Sequence, residues 1–75
     1  MKEIFPGVAI GGKVRFGKPV LKGTRVDIDL VIGKLASGMS FEDLQKEYGL
    51  TRRQILTALK YVASTLKREV VKATS

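Results

Sequence analysis

Two helix-start signatures in close succession constrain the fold of this chain more than any other feature of its sequence. Ser40 precedes Asp43 by three positions, and Thr51 precedes Gln54 by the same interval. A side-chain oxygen at the first position and a polar side chain at the fourth can satisfy the unpaired N–H groups of a helix start. Only a tight turn fits between the two helices, and Gly49 supplies a residue that adopts positive φ at little cost.

Apolar residues at helical spacing predict three helices between Asp27 and Lys72. Asp27 can serve as the N-cap of the first helix, and Gly38 is expected to end it in the left-handed conformation. Leu50 and Ile55 occupy the positions of a hydrophobic staple around the start of the third helix. We expect the three apolar faces to be formed by Ile28, Val31, Ile32 and Leu35, by Phe41, Leu44 and Tyr48, and by Ile55, Leu59, Val62, Leu66 and Val70.

The segment from residue 1 to 26 has the pattern of strands and turns. Its apolar residues are spaced among glycines, lysines and two prolines. A two-residue hairpin loop would place apolar side chains opposite charged ones. We therefore predict a three-residue loop, residues 11–13, that pairs Ile10 with Val14 and Val8 with Phe16. An isolated ribbon is marginal in water, so its apolar face should pack on the helices or on a second protomer.

The short length of the chain limits its core. The protein has 75 residues and contains neither cysteine nor histidine. A domain of this size buries only about 60% of the surface that its unfolded chain exposes. Since disulfides are excluded and the commonest metal ligands are missing, self-association is the remaining source of stability, and we expect a homodimer.

The sequence gives little support for catalysis or for nucleotide binding. Without histidine and cysteine the familiar catalytic arrangements are hard to assemble, so we expect no enzymatic activity, no metal site and no cofactor. Gly12 to Lys18 matches the first seven positions of a phosphate-binding loop. Pro19, however, stands where a serine or threonine should bind magnesium, which argues against this interpretation.

No segment has the pattern of a secretory leader or a membrane span. The N-terminus lacks a long apolar run, and apolar stretches such as residues 30–32 are interrupted within a few residues. We expect a soluble, cytoplasmic protein.

The charge distribution favours a polyanionic partner. There are 14 basic and 7 acidic residues, and the formal net charge is +7. Residues 11–25 contain basic side chains and no acid, a second basic cluster follows Thr51, and the stretch between them is locally acidic. Segregated positive charge on a small domain is typical of nucleic-acid binding.

The segment from Phe41 to Lys60 has the layout of a helix-turn-helix, although Gln45 stands where the motif usually has alanine. In such motifs the second helix presents its N-terminal end and outer face to base edges. Arginine can pair bidentately with guanine and glutamine with adenine. The residues that we predict to contact double-stranded DNA are Thr51, Arg52, Arg53, Gln54, Thr57 and Lys60.

Two less specific interpretations remain open. The polar face of the third helix could be the solvated surface of a plain three-helix bundle. The basic ribbon could be a dimerisation strand or a lysine-protected sheet edge as well as a clamp on the DNA backbone. The residues available for contacts with phosphates or with a partner are Lys13, Arg15, Lys18, Lys22, Arg25, Lys67 and Arg68.

Residues 17–26, GKPVLKGTRV, and residues 35–40, LASGMS, resemble a family of small bacterial and archaeal proteins known as domain of unknown function four-three-three. Tyr48, Leu50, Ala58 and the run from Leu59 to Tyr61 also fit, so the resemblance covers nearly the whole chain. It implies a homeodomain-like helical fold preceded by short strands, usually dimeric, and a role as a VapB-like antitoxin.

The antitoxin role implies a PIN-domain ribonuclease as the toxin and repression of the shared operon through promoter binding. Many antitoxins wrap the toxin with a long C-terminal segment, whereas few residues follow the third helix here. Neutralisation would then use the helix end near Lys67 and Arg68 or the basic ribbon.

We therefore predict a mainly α protein, with a β-hairpin or strand arm over residues 1–26, a three-helix helix-turn-helix core over 27–72 and a frayed tail over 73–75. The predicted function is that of a DNA-binding transcriptional autoregulator and antitoxin of a type II toxin-antitoxin pair. The alternative is a protein-interaction module that inhibits a nuclease without binding DNA. Nonspecific RNA binding ranks last, because the strands lack an aromatic platform for stacking bases.

Overall fold

A computed structural model describes residues 2–11 and 17–74, with side chains up to Lys67. Within these residues the chain forms a small antiparallel sheet followed by three helices, which confirms the mainly helical class. The strands are β1 (Lys2–Phe5), β2 (Val8–Ile10) and β3 (Val20–Leu21), and the helices are α1 (Ile28–Ala36), α2 (Phe41–Tyr48) and α3 (Arg52–Thr74).

The sheet has the order β1-β2-β3, so β2 is its central strand. Val8 lies opposite Phe5 on one side and Leu21 on the other. The predicted pairing of Val8 with Phe16 is therefore wrong, because both edges of β2 are already occupied. The chain reverses earlier than expected, at Pro6 and Gly7, where Gly7 has a φ of 87°. The predicted loop over residues 11–13 and the pairing of Ile10 with Val14 involve residues 12–14, which lie outside the described residues.

The start of α1 is fixed by backbone hydrogen bonds to the sheet. Asp27 occupies the predicted N-cap position with extended backbone angles, but its side chain makes no capping hydrogen bond. Asp27 instead bridges to Val20, and the Ile28 amide donates to the Pro19 carbonyl over 3.0 Å. Gly38, with a φ of 102°, follows the end of the helix as predicted.

The tight turn between α2 and α3 is confirmed, together with both helix starts. Ser40 Oγ accepts from the Asp43 amide at 3.1 Å. The Thr51 amide donates to Gln54 Oε1 at 2.9 Å, and the Gln54 amide donates to Thr51 Oγ1 at 3.1 Å. Gly49 adopts the left-handed conformation with a φ of 66°. The third helix continues past residue 72 to Thr74, so residues 73 and 74 belong to the helix and not to the tail expected from the sequence.

The core lies between the sheet and the inner face of α3. Ile55 and Ala58 of α3 are buried, and Val62 packs against them in part. The predicted burial of Leu59 and Leu66 is wrong, since these side chains are 37% and 54% exposed. The small Ala58, rather than Leu59, faces the core and lets the other elements approach the helix closely. The side chain of Val70 lies outside the described residues. The buried apolar residues are Val8, Ala9, Val20, Leu21, Ile28, Val31, Leu44, Leu50, Ile55 and Ala58.

The turn between β1 and β2 packs tightly against α3 at Thr57. A Cβ atom added to Gly7 would lie 2.8 Å from Thr57 Cγ2, whereas one added to Gly23 would meet nothing within 4 Å. Both glycines have φ values near 80° to 90°, at 87° and 80°. Thr57 is β-branched and inside a helix, so its side chain has little freedom to move aside.

We expect Gly23→Ala to lower the free energy of unfolding by about 1 kcal/mol, from left-handed backbone strain alone. Gly7→Ala should cost about 1 to 3 kcal/mol more, because it adds overpacking to the same strain. Chemical denaturation of both variants measures the difference. Equal losses would contradict the close approach of the turn to Thr57, and Thr57→Ser should recover part of the Gly7→Ala deficit.

Candidate nucleic-acid interface

An open cleft of about 690 Å³ lies between the β1–β2 turn and the first turns of α3. Its rim carries three cations, Lys22, Arg53 and Lys60. Among the described residues none of those lining it is acidic. The remaining lining residues are Phe5, Pro6, Gly7, Thr51, Gln54, Leu56 and Thr57. This position brings the start of α3 and the loop after β3 to one positively charged surface.

Helical spacing explains why Arg53, Thr57 and Lys60 share this cleft. Residues three, four and seven positions apart lie on one face of a helix. Arg53 and Lys60 are exposed, and Thr57 is half-buried by the neighbouring turn. The inner face of the helix, at Ile55 and Ala58, is held in the core, and this fixes the direction in which the basic side chains point.

Arg52 does not line the cleft. Its guanidinium lies 4.9 Å from the centroid of the Phe41 ring, in a cation–π contact with the start of α2. The contact directs this arginine to the side of α3 that faces α2. Arg52 and Arg53 therefore serve different surfaces although they are adjacent in sequence.

Thr51 and Gln54 line the cleft, but their hydrogen bonds are used to cap α3. Gln54 Oε1 and Thr51 Oγ1 each accept from the other residue's backbone amide. Bidentate recognition of adenine needs both the oxygen and the nitrogen of a glutamine side chain. The cap uses one of the two lone pairs of Gln54 Oε1 and fixes the orientation of the side chain, so Gln54 is less free to pair with a base while the cap is intact.

The β1–β2 turn is tied down beside the cleft by one carboxylate. Glu3 accepts from the Gly7 amide over 2.9 Å and from Lys22 Nζ over 3.0 Å. These contacts, first the hydrogen bond from the Gly7 amide and then the hydrogen bond and the charge of Lys22, hold the pKa of the Glu3 carboxyl below its ordinary value. Both side chains of the ion pair are substantially exposed, so an incoming phosphate can compete for Lys22 at little cost.

The other basic residues predicted from the sequence are dispersed. Lys18 pairs with Asp29 over 3.2 Å, beside an apolar depression lined by Tyr61 and Val62. Arg25 and Lys67 are exposed and do not line the cleft. Lys13, Arg15 and the side chain of Arg68 lie outside the described residues.

Sequence reasoning missed the contribution of the first strand pair. Phe5, Pro6 and Gly7 form one wall of the cleft, and Phe5 makes an edge-to-face contact with Tyr61 at 5.5 Å between ring centroids. The signal was present, because a Pro-Gly dipeptide between two short apolar runs is a strong turn marker.

Within residues 2–11 and 17–74, no group of acidic side chains is arranged to hold a metal ion. None of the helices described in that part of the chain is long and apolar enough to cross a bilayer.

Residues 8–62 match the family model described as "Protein of unknown function (DUF433)". The chain is also similar to the crystal structure of a DUF433 member protein from Anabaena variabilis ATCC 29413, with a TM-score of 0.74 and 18% sequence identity. The match covers 92% of this chain and 69% of that chain, and at this identity the likeness concerns the fold alone. Among curated proteins, none matches this sequence.

The role of Gln54 as a cap can be separated from any role in binding. We expect Gln54→Ala to lower the free energy of unfolding by about 1 kcal/mol, since the Thr51 amide loses its partner. Gln54→Glu should retain the stability of the wild type, because a carboxylate accepts the same hydrogen bond and suits a helix N-terminus. Thermal denaturation of the two variants provides the comparison. Equal losses of stability in the two variants would mean that the Gln54 side chain does not stabilise the protein through the reciprocal cap.

Proposed function

The chain belongs to the DUF433 family, and we propose that this member binds double-stranded DNA through the cleft at the start of α3 and regulates transcription. The observation that carries the proposal is the convergence of Lys22, Arg53 and Lys60 on one surface beside the N-terminal end of a helix that follows a tight turn. Clustered cations at a helix N-terminus favour phosphates through both their charge and the helix dipole.

The arrangement of α2, Gly49 and α3 is compatible with a homeodomain-like helix-turn-helix. α3 is the longest of the three helices, and its first turns carry polar side chains on the outside. In helix-turn-helix proteins this end of the second helix enters the major groove. Arg53 is the residue best placed to reach a base, because it is exposed and is not engaged in the cap.

The β1–β2 turn refines the proposed mode of contact. The β1–β2 turn approaches Thr57 closely at Gly7. The wall of the DNA groove would therefore meet this turn as well as α3. Lys22 and Lys60 line the same cleft as this turn and suit phosphate contacts, which position a protein on the duplex without reading its sequence. Sequence preference would then depend mainly on Arg53.

We expect Arg53→Ala and Lys60→Ala each to weaken binding to the DNA upstream of the protein's own gene by about tenfold, a loss of about 1.4 kcal/mol. Lys46→Ala removes the same charge from an exposed site on α2 outside the cleft and should have a much smaller effect. Fluorescence anisotropy with labelled duplex measures all three. Equal losses for Lys46 and the cleft residues would mean that net charge, and not the cleft, determines binding.

The conservative variant Arg53→Lys separates base reading from charge. It retains the positive charge but loses the planar fork that pairs with guanine. We expect it to keep the salt dependence of the wild type while its preference for the upstream sequence over a scrambled one is reduced.

We further propose that the chain is the antitoxin of a type II toxin-antitoxin pair and neutralises a PIN-domain ribonuclease. This part rests on the resemblance of residues 17–26 and 35–40 described above. The basic cleft supports it in one respect, since an arginine such as Arg53 could enter an acidic nuclease centre. If the same cleft serves both partners, toxin and DNA should compete for it.

A ribonuclease encoded beside the gene for this protein should lose activity on stoichiometric addition of the chain, and Arg53→Ala should weaken that inhibition. Cleavage of a fluorogenic RNA provides the measurement. Inhibition by a protein that shows no preference for its upstream DNA would favour the alternative function, an interaction module that blocks a nuclease without binding DNA. A neighbouring nuclease that remains fully active would overturn the antitoxin proposal.

A further inference from the structure

Lys22, one of the three cations of the cleft, is already paired with an acid of the same chain. Its Nζ atom lies 3.0 Å from Glu3 Oε1, while Glu3 Oε2 accepts from the Gly7 amide over 2.9 Å. Glu3 does not itself line the cleft. A carboxylate and a phosphate are both anionic acceptors for a lysine ammonium. Glu3 therefore already makes, from within the chain, the contact that a phosphate of the ligand would make with Lys22.

We infer that Glu3 is an internal competitor for phosphate at Lys22 and that it limits the affinity of the cleft for a polyanion. The inference deepens the proposed function and rests on it, because the phosphates are those of the DNA backbone. Binding either exchanges the carboxylate for a phosphate or leaves two anions beside one cation. In both cases Lys22 contributes less to the attraction of DNA than a free lysine would.

The exposure of the ion pair allows this exchange. The side chain of Lys22 is 62% exposed and that of Glu3 is 42% exposed. Ion pairs in such positions are weak, because water and salt screen them. Glu3 can therefore lower the affinity of the cleft by a few-fold but cannot close it.

The position of Lys22 does not depend on the charge of Glu3. The Lys22 amide donates to the Gly7 carbonyl over 2.8 Å, which anchors the backbone of Lys22 to the β1–β2 turn. A glutamine at position 3 can still accept from the Gly7 amide through its side-chain oxygen. Glu3→Gln thus removes the competing charge while both hydrogen bonds of Gly7 are retained.

A second ion pair of the chain provides a matched control. Lys18 Nζ lies 3.2 Å from Asp29 Oδ2, and the two side chains are 55% and 64% exposed. Neither residue lines the cleft. Asp29→Asn raises the net charge by the same single unit as Glu3→Gln and also releases a lysine from an exposed ion pair. Any effect that the two variants share is an effect of net charge.

We expect Glu3→Gln to tighten binding at low salt by about threefold, for the upstream duplex and for a scrambled duplex alike, because a phosphate contact carries no sequence information. Asp29→Asn should have a much smaller effect. The logarithmic salt dependence of Glu3→Gln should be steeper by up to about 0.9, the value of one additional phosphate contact. Fluorescence anisotropy gives the affinities, and circular dichroism checks that both variants fold.

Three results of this comparison would overturn the inference. Equal gains for the two variants would mean that net charge alone acts. A gain confined to the upstream duplex would place the effect of Glu3 on base reading. Weaker binding by Glu3→Gln would mean that the carboxylate orients Lys22 for the ligand and does not compete with it.

The dependence on Lys22 has its own test. Lys22→Ala should weaken binding by less than the about tenfold expected for Lys60→Ala, because Glu3 already shares the charge of Lys22. In a chain that carries Lys22→Ala, the further change Glu3→Gln should tighten binding no more than Asp29→Asn does. A full threefold gain in that background would overturn the competition at Lys22.

Retention on immobilised heparin separates this inference from the proposed function, since heparin is a polyanion without a base sequence. Glu3→Gln should elute at higher salt than Asp29→Asn, although the two variants have the same net charge. If it does so while the wild type shows no preference for its upstream duplex, the competition is supported and the reading of DNA sequence is contradicted. Equal elution, with that preference intact, would overturn the competition and leave the proposed function standing.

Discussion

The burial of the inner face of α3 is the interaction on which the rest of the structure depends. Ile55 and Ala58 are fully buried against the sheet and the first two helices, and they fix the rotation of α3 about its axis. Once this rotation is set, Arg53 and Lys60 point into the cleft and Leu59 and Leu66 point outward. A helix rotated by one residue would reverse these assignments, because each step along the chain turns a side chain by about 100°.

In this small chain, α3 contributes both to the core and to the lining of the basic cleft. With 75 residues the protein has room for one core, and α3 supplies part of it. The reciprocal cap of Thr51 and Gln54 holds the helix start beside the β1–β2 turn, where the basic side chains meet. At this end of α3, Thr51 and Gln54 stabilise the helix start, whereas the contact with DNA that we propose is assigned mainly to Arg53.

Local signals predicted the helical half of the fold well. Capping side chains and glycines act within a few residues of their own position. They explain both helix starts, the turn at Gly49 and the glycine after α1. The sheet was harder, because the partner of Val8 depends on contacts with Leu21 that are distant in sequence. The same reason explains why the burial of Leu59 was predicted wrongly. A 3.6-residue period indicates that a helix face is apolar, but it does not indicate which of two apolar faces meets the core.

The candidate site was only partly predictable. Arg53 and Lys60 follow from the helix-turn-helix pattern, but the closeness of Lys22 to them arises from the folding of the strands back onto α3. Arg52 shows the opposite case, since its contact with Phe41 removes it from the surface where the pattern placed it. The sequence shows which residues are basic, but the packing of the strands and helices determines which of them lie on the same surface.

The central claim is that the basic cleft recognises DNA. The most direct test is fluorescence anisotropy of the unmodified protein with a duplex from the region upstream of its own gene and with a scrambled duplex, titrated across salt concentrations. We expect tighter binding to the upstream duplex and a loss of affinity with salt equivalent to about three or more neutralised phosphates, each adding about 0.9 to the logarithmic slope. Equal and weak binding to both duplexes that disappears near physiological salt would contradict the account.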